Sequence, residues 1–302
     1  MPLPFSPYQA ARVALATRHG KERVIGPALR HGLGAELLHL PQIDTDALGS
    51  FCGGIPRHGT ASQACLAKAQ AALELGGTGL AIASEGSFGP HPSVPFLAMG
   101  LECMLFLDAE RGLCLSEELL ARRTNFDRLQ LSPEELKLGL DGPRLRDWLL
   151  QVGFPSHGLM VRPQSPLPMA TAPATDAVVA KGIHQPGPLI QAMAEASALA
   201  PHGVVQLETD MRAHCNPTRM ASIRQLSFRL VRRLATPCPA CGAPGWGRQR
   251  SLAGLPCACC GSATTLSRAD LLVCCSCDHS EQRPRSDGLL LADPVHCSFC
   301  NP

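Results

Sequence analysis

Eight cysteines in four Cys-x-x-Cys pairs crowd the last 65 residues, and they constrain this chain more than any other feature. The pairs are Cys238/Cys241, Cys257/Cys260, Cys274/Cys277 and Cys297/Cys300. Fifteen residues separate the first pair from the second, and nineteen separate the third from the fourth. Each Cys-x-x-Cys turn aims two thiolates at one point, so two turns complete a tetrahedral site suited to zinc. Four pairs therefore predict two Zn2+ sites in a tandem zinc-ribbon domain over residues 236–302. Two pairing orders are open: first with second and third with fourth, or an interleaved cross-brace. Cys259 and Cys275 sit beside pair members and are alternative ligands. The competing use of such pairs, disulfides in a secreted protein, fits the rest of the chain poorly.

Seven more cysteines are scattered outside the pairs, an odd remainder that suits a reducing cytoplasm better than a disulfide framework. No run of eighteen apolar residues occurs, and the start lacks a basic region followed by an apolar stretch, so neither a membrane span nor a signal peptide is expected. The formal charge of +2 predicts no strong general attraction to nucleic acid or anionic membranes. Only 4% of residues are aromatic, too few for a platform that stacks single-stranded bases.

Residues 1–235 alternate between short apolar runs and helix-forming segments, which predicts an α/β domain with a mostly parallel sheet and flanking helices. Val13 to Thr17 reads as a strand, followed by a helix from Lys21 that ends near Gly32 or Gly34. Thr60 and Gln63 form a capping box for a helix that Gly76-Gly77 stops. Gly79 to Ala83 reads as a buried strand leading into a Gly- and Pro-rich loop, and Met104 to Leu107 as another strand. Ser132, Pro133 and Glu135 open a further helix. Residues 162–175 hold four prolines and read as a loop. Beyond it come a strand at Ala177 to Ala180, a helix near Leu189 to Leu199, a strand at Val204 to Leu207 and an amphipathic helix after Pro217.

Ligands of open α/β sheets bind beyond the carboxyl ends of the strands, and three segments qualify. Thr17 to Glu22 places Arg18, His19 and Lys21 at a helix start, where phosphate binds favourably; a solvated turn is an equal reading. Ser84 to Pro92 offers Glu85 and His91 for acid–base or metal chemistry among glycines that permit close backbone approach. Its bland alternative is a structural turn, although Glu85 directly follows a buried strand and needs a partner or a task. Glu208 to Arg219 gathers Asp210, Arg212 and Arg219, either a catalytic group or a salt-bridged helix cap. Asp44 and Asp46 read as a polar turn that could add metal oxygens.

Several mechanisms lack their motifs. There is no GxxxxGK[ST], no GxGxxG after a strand, no HExxH and no GxSxG. Cys215 and Arg219 are too close for a cysteine-phosphatase loop, so Cys215 reads as a packed or metal-proximal residue and not as a nucleophile.

The segments ATRHGKE (16–22), DTDALGSFCGGIPRHGT (44–60), ASEGSFGPHP (83–92) and ETDMRAHCNPTRM (208–220), with the CPACG tail, resemble an uncharacterised bacterial family of unknown function. A more distant resemblance is to the nucleoside-triphosphate pyrophosphatases that clear inosine and xanthosine triphosphates. Thr17-Arg18-His19-Gly20-Lys21 is similar to that family's phosphate-holding loop, with His19 in the place of its asparagine. Gln63 to Ala69 is similar to its following helix, Ile82 to Gly86 to its acidic metal-binding strand end, and Pro217-Thr218-Arg219 to its Ser-His-Arg. This likeness implies metal-assisted attack of water on a nucleotide phosphate. Glu85, with Asp44, would hold Mg2+, while Lys21, Arg18 and Arg219 would neutralise phosphate charge. His19 or His91 would act as general acid or base.

Two functions follow as expectations. One is a metal-dependent hydrolase of a phosphorylated small molecule, with Glu85, His19, His91 and Asp210 catalytic and Arg18, Lys21, Arg212 and Arg219 binding substrate. The other is a non-catalytic zinc-ribbon module that binds nucleic acid or protein through the tail, a homodimer contact included.

Overall fold

The computed structural model describes residues 6–43, 59–91, 94–121, 123–164 and 178–301. Asp44, Asp46 and most of the proline-rich stretch lie outside these residues, and His91 is described only in its backbone.

The first layer is a five-stranded sheet in the order β2-β1-β3-β4-β5, with β1 at Arg12–Leu15, β2 at Glu36–His39, β3 at Leu80–His91, β4 at Val94–Asp108 and β5 at Leu113–Ala121. β1 runs parallel to β2 and β3, whereas β3, β4 and β5 form an antiparallel meander. The sheet is therefore mixed, which corrects the expected mostly parallel one. The reason lies in β3: the expected Gly- and Pro-rich loop is strand, and its residues pair with β4 from Leu80↔Asp108 to Pro90↔Ala98. Such a hairpin needs no helical crossover and so turns the chain back antiparallel.

Helix α1, Glu22–Leu33, ends at Gly34 in the left-handed conformation (φ 68°). Helix α2, Ala61–Gly76, begins with the predicted capping box and ends at left-handed Gly77. The two faces of the sheet bury different helices. Leu80, Ile82, Met104 and Phe106 meet Ile25 and Leu29 of α1 and Ile223, Leu226 and Leu230 of the last long helix. Ala81, Ala83, Cys103 and Leu105 meet Cys65, Ala69 and Ala72 of α2. This alternation is the period-two rule of a sheet buried on both sides.

A second sheet has the order β6-β9-β7-β8, with β6 at Arg128–Leu131, β7 at Leu159–Pro163, β8 at Ala180–Ile183 and β9 at Val205–Thr209, every pair antiparallel. Its apolar face is covered by α4, Pro143–Val152, and α5, Pro186–Leu199, while α3, Pro133–Lys137, starts in the predicted Ser132 box. Helix α6, Pro217–Leu234, is capped by Asn216, whose side chain accepts from the Arg219 N–H, and returns the chain to the first sheet. Ile223, Leu226, Leu230 and Leu234, at helical spacing on the apolar face of this expected amphipathic helix, are buried there.

The tail builds a third sheet, β10-β11-β12, from Gly247–Ala253, Ser267–Val273 and Ser280–Pro284, all antiparallel. Trp246, Leu272 and Cys238 form its small core, with Trp246 stacked on His279 at 5.0 Å. Arg233 of α6 joins the tail to the body by donating to Glu117 of β5 at 2.7 Å and to the Gly245 carbonyl at 3.2 Å.

Candidate functional site: a buried charge cluster and two cysteine groups

β1 ends at Leu15 while its neighbour β3 runs on for several residues beyond the register pair Ala14↔Ala81. The exposed edge of β3 is where charged residues collect. On the α2 face, Glu85 meets Lys68, with Oε2 2.5 Å from the ammonium. On the α6 face, Glu102, which pairs with Gly86 across the strands, receives Arg219 at 2.7 Å through Nε and at 3.4 Å through Nη2. At the edge between the faces, Lys21 donates to the Ser84 carbonyl at 2.6 Å. All five charged residues are at most 8% exposed.

Gly86 is required by close approach. A Cβ there would lie 2.6 Å from Arg219 Nη2 and 2.9–3.0 Å from the Glu102 carboxylate oxygens. Arg219 also lies over the Phe88 ring at 5.1 Å and donates through Nη1 to the Met211 carbonyl.

Among the described residues the cluster holds three cations, Lys21, Lys68 and Arg219, against two carboxylates, Glu85 and Glu102. Among the described residues Lys21 has no carboxylate at ion-pair distance. Burial, then the neighbouring Arg219, lowers its pKa to about 8, although Glu85 and Glu102 pull it upward. A buried surplus cation is costly by itself and favourable once an anion neutralises it.

The loop from Thr17 to Lys21 forms the rim. His39 of β2 donates through Nε2 to the Thr17 carbonyl at 2.8 Å, and His19 stacks on His214 at 5.2 Å. Gly20 adopts φ +71°, and its Cβ position lies 3.6 Å from that of His214, so this loop meets the segment before α6. Arg18 is exposed on it.

Asp210 has a different setting. It is fully buried and accepts from the Gly182 N–H at 2.9 Å, the Arg212 N–H at 3.0 Å and the Arg212 guanidinium. Burial would raise its pKa, but the Arg212 hydrogen bonds and charge more than offset this and hold it below the usual range. Asp210 and Arg212 thus brace the loop before α6. Cys215 stands beside them, its thiol pushed up to about 11 chiefly by burial.

The cysteines resolve into two groups. Cys238, Cys241, Cys274 and Cys277 form one, and Cys257, Cys260, Cys297 and Cys300 the other, with all ligand sulfurs of a group within 4.8 Å of one another. The pairing is interleaved. The first group stands where β10 begins and β11 ends, the second where β10 ends and β11 begins. The seven residues of β11 span the two, a separation on the order of 20 Å. Sulfur–sulfur distances of 3.9 and 3.6 Å in the first group and 3.9 and 3.7 Å in the second match the edge of about 3.8 Å of a tetrahedron with 2.3 Å zinc–sulfur bonds. The residues present therefore fit a tetrahedral thiolate-bound ion at each end. Cys275 takes no part and packs against the main core.

Residues 68–302 match the model of a family described as Domain of unknown function (DUF6671). The chain belongs to that family. The matched part carries Lys68, Glu85, Glu102, Arg219 and both cysteine groups, while Lys21 precedes it. No curated protein and no solved structure matches the chain.

Of the residues singled out by sequence, the fold of this DUF6671 member brings Glu85, Lys21 and Arg219 together, with His19 on the rim. Lys68, Glu102 and Ser84 were missed. Lys68 reads as an ordinary solvent-facing helix residue, and Glu102 lies in the middle of a strand, where an acid among Leu101, Cys103 and Met104 is the one signal that marks it. Among the described residues no helix is long and apolar enough to cross a membrane.

Proposed function

We propose that this chain hydrolyses a phosphorylated small molecule, a nucleoside triphosphate being the first to test, at the edge of β3. The observation that supports this reading is the buried surplus of positive charge at the carboxyl end of β1. Lys21 and Arg219 would neutralise the phosphate oxygens, where a low dielectric gives such groups their greatest effect. Glu85, held by Lys68, would receive the proton of a water that attacks phosphorus as the bond to the leaving oxygen breaks. Magnesium, which commonly rests on one or two carboxylates and the phosphates themselves, would supply further neutralisation.

The two cysteine groups we assign to structural zinc, closed sites with four protein ligands each. Arg233, bound to both Glu117 and Gly245, supports a role for the tail as a strut on the main sheet. Phosphate and pyrophosphate release from a panel of nucleoside triphosphates with Mg2+, comparing wild type with Glu85→Gln, tests the proposal. Turnover abolished in a Glu85→Gln protein that is still folded supports it. Absence of release from every nucleotide by folded, zinc-loaded protein overturns it and favours the binding-module reading, whose mark would be steeply salt-dependent association with nucleic acid.

A further inference from the structure

The hydroxyl of Ser84 is buried without a hydrogen-bond partner, in a residue that is 4% exposed. Buried polar groups are nearly always satisfied, and an orphan in a charged site marks a place for a ligand atom. Ser84 projects from the same face of β3 as Gly86, two residues away, which turns towards Arg219 and Glu102. Its own carbonyl already holds the Lys21 ammonium. One corner thus joins an unpaired hydroxyl, a cation in surplus, a glycine without a side chain and two carboxylates that act on Lys21 from either face.

The Glu102 carboxylate, on the Ser84 face, makes this corner chemically selective. An ionised carboxylate can only accept hydrogen bonds. Inorganic phosphate near neutral pH keeps a P–OH that can donate to such an oxygen, whereas sulfate has no proton to offer and meets repulsion instead. The Ser84 hydroxyl and the Lys21 ammonium would donate to the remaining oxygens of either ion. Resting on the proposed function, we infer that Ser84 and Lys21 seat the inorganic phosphate released by hydrolysis, and that Glu102 makes this seat prefer phosphate to sulfate.

Titration calorimetry of the zinc-loaded full chain with inorganic phosphate and with sulfate, at pH 7 and equal ionic strength, tests this without turnover. Wild type should bind phosphate at least about tenfold more tightly than sulfate. Ser84→Ala should weaken phosphate by about tenfold, one lost hydrogen bond to a charged group. Glu102→Gln should bring the two anions within about threefold of each other. Equal binding of phosphate and sulfate by wild type, a comparison that needs no variant, overturns the inference, as does unchanged phosphate affinity in a folded Ser84→Ala protein. Selective phosphate binding by a chain that turns over nothing would leave this seat standing and sink the hydrolase reading. Turnover without selectivity would do the reverse.

Discussion

The Lys68 ammonium sits 2.5 Å from Glu85 Oε2, and the side chains are 9% and 1% exposed. This pair ties α2 to β3 across the edge where β1 has ended. Removing the carboxylate strands the Lys68 charge away from water, which costs about 3–5 kcal/mol, whereas removing both charges costs much less. Glu85→Gln should therefore destabilise the chain by that amount in urea, and Lys68→Met/Glu85→Gln by clearly less than the sum of the single changes. Additive effects would show that water or another cation reaches Glu85.

Lys21 links stability to pH through its lowered pKa of about 8, against the ordinary 10.5. Arg219, Lys68, Glu85 and Glu102 are the charged groups that act on it. Below pH 8 the lysine is charged in both states and the folded chain bears the whole cost. Between 8 and 10.5 the unfolded chain keeps a proton that the folded chain has shed, so stability rises with pH. Between pH 7 and 9.5 wild type should gain on the order of 1–2 kcal/mol relative to Lys21→Met in urea unfolding. A flat difference would mean that the ammonium is solvated or paired.

Arg233 carries the contact between α6, β5 and the tail. Glu117 accepts from Arg229 at 3.0 Å and from Arg233 at 2.7 Å, and Arg233 also lies 3.8 Å from the Cys275 sulfur. Arg233→Ala should cost about 1–3 kcal/mol and expose Cys275. With zinc bound, the readout is the rate at which a thiol reagent modifies Cys275 beyond any change at Cys114. An unaltered rate would show that the tail is held by its apolar contacts alone.

Much of this fold was legible where local chemistry decides it. The boxes at Thr60 and Ser132, the glycine stop at Gly77 and the apolar stripe of α6 depend on neighbours a few residues apart, and each stands where its signal placed it. What failed was long-range pairing. Gly86, Gly89 and Pro90 look like loop, yet Gly86 makes room for Arg219, and Pro90 pairs near the end of a hairpin. β5 was equally opaque, because LSEELLA carries an inward Glu117 that only two arginines more than a hundred residues away can satisfy. Glu85 was visible as an acid after a buried strand, but neither Lys68 nor the partnership of Arg219 with Glu102 could be read from spacing.

Metal content separates the two pairing orders of the cysteines. In the interleaved arrangement Cys238 and Cys277 belong to one group, so Cys238→Ser/Cys277→Ser removes two ligands from a single site and leaves the other complete. If the first pair served with the second and the third with the fourth, the same double substitution would cripple both sites. Two zinc ions per wild-type chain and one per double variant are therefore expected from elemental analysis of dialysed protein. The mirror variant, Cys257→Ser/Cys300→Ser, should also keep one ion, and that ion should lie beside Trp246, which is packed with Cys238, Cys274 and Cys277. Chelation of the mirror variant should then change tryptophan fluorescence, while the Cys238→Ser/Cys277→Ser protein, its remaining ion at the far end of β11, should respond much less. Loss of both ions in either double variant would show that the two groups fold as one cooperative unit or pair in the other order. The single variant Cys300→Ser decides between these, since cooperative folding would lose both ions even there.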